Sequence, residues 1–244
     1  ISFSLYMTHG GTSFGQWAGA NVPGYKPDCT SYDYDAPINE QGVATEKYYE
    51  LRNLLQQYSD KKLPAVPKPK SIITIPEFTF NEMAPIFENL PASNHSEHIV
   101  SMETLNQGWG SMIYSCSLPK TDVSSVLLIN ELHDFATVFV DGQYIGKLYR
   151  GDKEEAIRIP ATQEGAKLEI FVEAMGRINY SKLINDRKGI TESVELITKS
   201  NGHDLVYSLK NWEIFLLPYG YENVKDVNYK TLDPYTLTVN PSPT

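Results

Sequence analysis

The chain has 244 residues, 41% hydrophobic and 21% charged, with 30 Asp and Glu against 21 Lys and Arg and a formal net charge of -9. That length can bury one large core or two modest ones, and two domains are expected. The acidic balance, with no run of basic residues, argues against nucleic acid or anionic membrane as a partner and leaves neutral small molecules open. No apolar stretch approaches the roughly 20 residues needed to span a bilayer.

Residues 1–8 alternate in the manner of a strand, with Ile1, Phe3, Leu5 and Met7 on one face and Ser2, Ser4, Tyr6 and Thr8 on the other. Since Ile1 is not a Met and the first residues already read as a strand, the chain is expected to be a piece of a longer protein. In a barrel the second face would look into the lumen, with Tyr6 near the strand's C-terminal end, where barrel active sites are built. Gly10-Gly11 ends the strand, and a loop rich in Gly, Asn, Pro and Tyr runs to about Gly42. Loops of that length in compact domains are usually functional or disordered, and the density of aromatics here favours function.

Thr45 reads as a helix N-cap, with Tyr48, Leu51, Leu54, Leu55 and Tyr58 recurring at helical spacing after it. Pro64, Pro67 and Pro69 then prevent any continuation of that helix and mark a semi-rigid linker. Beyond the linker short β-rich runs follow at 72–75, 112–117, 126–129, 136–140, 144–148, 156–159, 168–173, 205–207 and 213–216. Asp141-Gly142 between two of them is a hairpin signal, because a type I′ turn needs positive φ at both positions. Many short strands between turn residues argue for a jelly-roll-like β-sandwich. The expected organisation is therefore α/β followed by all-β: residues 1–60 as the end of a barrel, 61–71 as linker, 72–221 as sandwich, and 222–244 as a tail or the start of a further β-module, frayed from 240 onward.

Cys29 and Cys116 are far apart and read as two unrelated thiols, supporting neither a disulfide framework nor a metal site. Asn94-His95-Ser96 and Asn179-Tyr180-Ser181 fit the glycosylation sequon and are permissive of secretion. Sixteen tyrosines suit carbohydrate surfaces and sandwich cores alike, since each offers a flat apolar face and a hydroxyl.

Three groups of residues carry a resemblance. They are Tyr6 to Phe14 with its Gly-Gly-Thr loop; Thr30-Ser31-Tyr32-Asp33-Tyr34-Asp35-Ala36-Pro37 with Thr45-Glu46-Lys47-Tyr48 after it; and Val138-Phe139-Val140-Asp141-Gly142 with Met175-Gly176-Arg177-Ile178-Asn179-Tyr180. At these residues the chain strongly resembles the glycoside hydrolase family 35 β-galactosidases, departing at Ser13, where the family commonly has Asn. The resemblance implies the last strand and helix of a (β/α)8 barrel followed by the first of two all-β domains. It also implies a retaining exo-enzyme that removes terminal β-linked galactose with two glutamates, without a cofactor or metal, acting on β-galactoside oligosaccharides or glycoconjugates. A periplasmic, extracellular or lysosome-like compartment fits that family, and oligomeric state is left open.

The motifs around both glutamates are missing from this sequence, so no catalytic residue is assigned and the chain alone is expected to be inactive. What carries over is narrower: Tyr6 matches a tyrosine beside the nucleophile, and Tyr34 matches one that contacts galactose. A phenol hydrogen-bonded to a carboxylate favours its charged form and fixes its aim. Asp33 and Asp35 are rejected as the acid pair. A retaining pair must flank the glycosidic bond about 5–5.5 Å apart, whereas neighbours on one strand approach from a single side. They read as loop-fixing residues, Tyr32 as structural, His9 as a backbone-bonding residue, Trp17 and Trp109 as core, and Glu173 with Arg177 as a partly buried ion pair. The alternative to an enzyme fragment is a carbohydrate-binding module or a purely structural β-domain.

Overall fold

The computed structural model describes residues 3–152, 155–231 and 238–239. In chain order its elements are β1 (Gly19–Asn21), β2 (Lys26–Pro27), α1 (Glu46–Gln56), β3 (Phe78–Thr79), β4 (Glu82–Met83), β5 (Asn94–Ser96), β6 (Ser111–Leu118), β7 (Ser125–His133), β8 (Phe135–Val140) and β9 (Gln143–Tyr149). There follow β10 (Ala156–Ile159), β11 (Ala166–Glu173), β12 (Arg177–Ile178), β13 (Gly189–Ser200), β14 (His203–Ser208), β15 (Trp212–Leu217), the short helix α2 (Tyr221–Val224), β16 (Lys230–Thr231) and β17 (Thr238–Val239). The chain divides into two compact units, one of Ile1–Gly15, Asp28–Met83 and Lys230–Thr244, the other of Gln16–Pro27 and Ala84–Tyr229.

In the first unit α1 begins where the cap residue dictates. Thr45 accepts from the Tyr48 N–H at 3.4 Å and donates its hydroxyl to Pro37 O at 2.8 Å, tying the helix start to the preceding loop. Beyond the helix the chain folds back, with Leu63 N–H donating to Gln56 Oε1 at 3.0 Å and Arg52 to Leu63 O at 3.1 Å. Two small antiparallel ladders, β3 with β17 and β4 with β16, complete the unit. The alternating segment at its start forms no ladder over its described residues. One parallel bridge, His9 to Ile38, and the Ile38 N–H to Thr8 O bond at 3.0 Å are its pairings, and strand geometry needs continuous neighbours to persist. Residues 72–75 likewise pair with nothing and leave Ile72, Ile73 and Ile75 exposed. The expected strand positions Ile1 and Ser2 and the expected frayed tail lie outside the described residues.

The second unit is an antiparallel β-sandwich. One sheet runs β5-β15-β6-β11-β8-β9, the other β10-β7-β13-β14. Alternation places Ala136, Val138 and Val140 of β8 inside, where they meet Leu168 and Ile170 of β11 and Leu127 and Ile129 of β7 in a single core. Tyr114 and Trp212 lie at its centre, fully buried and edge to face at 6.3 Å. The Asp141-Gly142 turn has φ of 49° and 74°, as the hairpin pattern requires. Cys116 is buried and Cys29 exposed, both free.

The largest addition to the sequence reading is β13, an interior strand of 12 residues in a stretch of the expected sandwich where no strand is expected. Its pairing with β7 slips between Ile190 and Ser193, and that bulge breaks the period-2 pattern by which a strand is recognised. Among the described residues no helix is long and apolar enough to cross a membrane.

Candidate functional site

In the first unit the Tyr6 segment and the Tyr34 segment are stitched together by backbone. Thr12 and Ser31 form an antiparallel bridge, with Ser13 N–H donating to Thr30 O at 2.7 Å and Tyr32 N–H to Gly11 O at 3.0 Å. Only glycine permits this approach at position 10, where a Cβ would lie 1.5 Å from Tyr32 O. The chain then turns back through Tyr34 and Asp35, both with positive φ (57° and 52°), closed by Ala36 N–H to Asp33 O at 3.0 Å. Tyr34 is therefore not extended beside Tyr32. Instead the two rings stand 4.9 Å apart.

Tyr6 and Tyr34 present 91% and 74% of their surfaces to solvent. The Tyr32 hydroxyl is pushed above the ordinary phenol range by partial loss of hydration, with Tyr34, Asp28 and Tyr6 adding to it. Asp35 pairs with Lys47 of α1, whose ammonium also donates to Asp35 O at 2.5 Å, and Thr12 donates to Glu40 at 3.0 Å. These carboxylates hold the loop. The His9 side chain lines a hollow with Ile38 and Tyr48 rather than joining the phenols.

The second unit holds a cluster that the sequence did not announce. The segment Gln16–Pro27 lies on the sandwich, where β1 pairs in parallel with β12 (Gly19 opposite Arg177, Ala20 opposite Ile178) and antiparallel with β2. Tyr25 is buried with its hydroxyl donating to Gly176 O at 2.6 Å and its ring facing the Arg150 guanidinium at 4.5 Å. Beneath it Lys188, 0% exposed, spends its three N–H bonds on Asp134 Oδ2 (2.6 Å), Gly176 O (2.9 Å) and Asp186 Oδ2 (3.0 Å). Arg150 bridges the same two carboxylates at 2.9 and 2.7 Å, and Met175 N–H and Ile178 N–H complete them at 2.7 and 3.1 Å. Two buried negative charges thus meet two positive ones with their hydrogen bonds made, the condition under which a buried ion cluster is tolerated.

His133, Asp134 and Asp186 have the ligand types and spacing of a metal site, but the Lys188 and Arg150 cations already occupy that place. The cluster is structural, fixing the 16–27 segment to the sandwich. Arg177 pairs with Glu103 at 2.6 Å and not with Glu173, correcting the sequence expectation. Glu173 is held above the usual carboxyl range by burial alone.

The cluster makes stability depend on pH in two directions. Burial by itself would raise the Asp186 carboxyl, but His133, the Ile178 N–H and Lys188 outweigh it and hold it far below the usual range. Burial would lower the His133 imidazole, but the Asp186 carboxylate 3.2 Å from Nδ1 and Glu131 3.0 Å from Nε2 raise it. Asp186 therefore contributes stability above its unfolded pKa of about 3.9, lost only as pH falls through the folded value. His133 contributes below about 6.5, and its share is lost as pH rises through its folded value. His133→Gln is expected to flatten the decline in urea midpoint on the alkaline side while leaving the acid limb in place; an unchanged alkaline limb would contradict this.

Comparison with known proteins fits both units. Residues 1–58 match the family model described as glycosyl hydrolases family 35, and residues 100–218 match the one described as β-galactosidase, first all-beta domain. The chain is thus a relative of the family 35 glycoside hydrolases, with their first all-β domain as its sandwich. Among curated proteins it is 38% identical over 230 residues to β-galactosidase of Bos taurus and 37% identical over 230 residues to that of Homo sapiens, each match taking in 88% of this chain and 32% of the relative. The β-galactosidase-1-like protein 3 of Homo sapiens is 38% identical over 217 residues, 86% of this chain and 33% of the relative. The chain spans about a third of the length of the curated relatives it matches.

Proposed function

We propose that this chain is the part of a retaining exo-β-galactosidase that carries the end of the catalytic (β/α)8 barrel and the first all-β domain, supplying one wall of the galactose pocket. The observation that carries this reading is that one chain matches the family 35 model at its start and the β-galactosidase all-β model in its second unit, in that order. In the double displacement that such enzymes perform, one carboxylate attacks the anomeric carbon while a second protonates the departing oxygen, and water then reverses the first step. Both carboxylates are assigned to polypeptide beyond this chain.

Tyr6 takes the role of aiming the nucleophile, donating to its carboxylate and holding it charged, and Tyr34 that of donating to a galactose hydroxyl. Their exposure, and the backbone pairing that holds their two segments together, support those roles. The pairing of Asp35 with Lys47 suits a residue that fixes the loop.

Two assays test this. The purified 244-residue chain should show no hydrolysis of an aryl β-galactoside, and turnover above contaminant level would overturn the reading. In the whole protein from which the chain comes, Tyr6→Phe should lower kcat about ten- to a hundredfold, as expected for a lost hydrogen bond to a charged group, while Tyr34→Phe should act mainly by raising KM. Wild-type constants in both variants would place the pocket elsewhere.

A further inference from the structure

Trp17 and Trp109, expected in the core, are not in it. Trp17 is 69% exposed and Trp109 half-buried, and their ring centroids lie 5.7 Å apart with planes tilted by 35°. Together the two indoles offer a flat apolar surface with polar N–H edges. Beside the pair is an open hollow of about 210 Å³, lined by Gln16, Trp17, Gly108, Arg177 and Asn179 among others, all within the second unit. Polar side chains line it. Gln16 and Asn179 border the hollow, and the Asn179 side chain is exposed. Arg177 gives three N–H groups to Asp186 O, Gly108 O and Glu103, leaving the remainder of its five-donor fork.

We propose that this hollow with the Trp17–Trp109 surface is a binding subsite for one neutral pyranose ring of an oligosaccharide. A sugar ring is two-faced in the way the site is: an apolar C–H face to lie on an indole, and hydroxyls at its rim that both donate and accept. The Gln16 and Asn179 amides and the spare Arg177 N–H groups border the hollow and supply donors for hydroxyl oxygens. Glu103 already balances the Arg177 charge, so the site asks for a neutral ligand rather than an anion. The subsite does not depend on the catalytic reading above, because it draws on none of the residues of the first unit.

The test uses the 244-residue chain expressed in a bacterium, so that the Asn179-Tyr180-Ser181 sequon stays unmodified. Lactose, cellobiose and chitobiose are titrated while tryptophan fluorescence and saturation-transfer NMR are followed. At least one should give saturable binding with Kd on the order of 1 mM. Trp17→Ala and Asn179→Ala should each weaken it at least tenfold with unchanged Tm. Gln16→Ala should weaken it as well, since the Gln16 amide borders the hollow. No saturable signal from any of the three sugars would overturn the proposal, as would equal affinity in Trp17→Ala.

Discussion

Lys188→Ala is expected to lower the unfolding free energy of the second unit by about 3–5 kcal/mol, the cost of breaking a buried ion pair from one side. The ammonium is 0% exposed and touches both Asp134 and Asp186, neither of which can turn to water. Removing it leaves Arg150, with His133 at Asp186 alone, to balance two buried carboxylates and strips a donor from Gly176 O. Lys188→Met, which restores the volume, should recover little of the loss, whereas Lys188→Met with Asp186→Asn should recover a substantial part, since taking charge from both ends is far cheaper than from one. Urea unfolding followed by the buried Trp212 measures all three. The penalty in Lys188→Ala should also shrink as pH falls toward carboxyl protonation. A loss under about 1 kcal/mol at neutral pH would mean that water relaxes the cluster and that it is not the anchor described above.

How far these features could be read from the sequence follows from how local their causes are. The Thr45 cap, the Asp141-Gly142 turn and the alternation of β8 are each set within a few residues, and each forms where the pattern puts it. β13 is not legible in the sequence because its bulge interrupts the period that announces a strand. Lys188 does not stand out in the sequence because lysine is almost never fully buried without a partner, and its partners lie far off in sequence or, like Asp186, look like ordinary surface acid. The pairing of Arg177 with Glu103 is hidden for the same reason, Glu173 being closer in the chain while the ion pair is made to Glu103. Trp17 looked like core because large aromatics usually are. Only the pairing of β1 with β12, across more than 150 residues, shows that its ring is carried on the surface of the sandwich. Tyr6 and Tyr34 stand out through family likeness, since alternation and loop composition alone leave a packing role open for each.

Gly176→Ala should have the second large effect, and it tests whether the 16–27 segment is truly built into the sandwich. A Cβ at this position would lie 2.0 Å from Gly19 O and 3.2 Å from Ala18 O. Both are backbone atoms, so no side-chain rotation can relieve the clash and one strand must retreat. Retreat breaks the Arg177 N–H to Ala18 O bond of 2.9 Å and displaces Gly176 O, which accepts from both Tyr25 and Lys188. Overpacking together with the lost Tyr25 bond gives an expected loss of about 2–4 kcal/mol, with hydrogen-exchange protection disappearing at Ala20 and its neighbours before the rest of the unit. Gly108→Ala is the control, because a Cβ there meets nothing within 4 Å. Equal urea midpoints for the two variants would show that β1 is not held against β12. If they differ as expected, saccharide binding should fall with Gly176→Ala as well, because Trp17 rides on the same segment and would leave Trp109 behind.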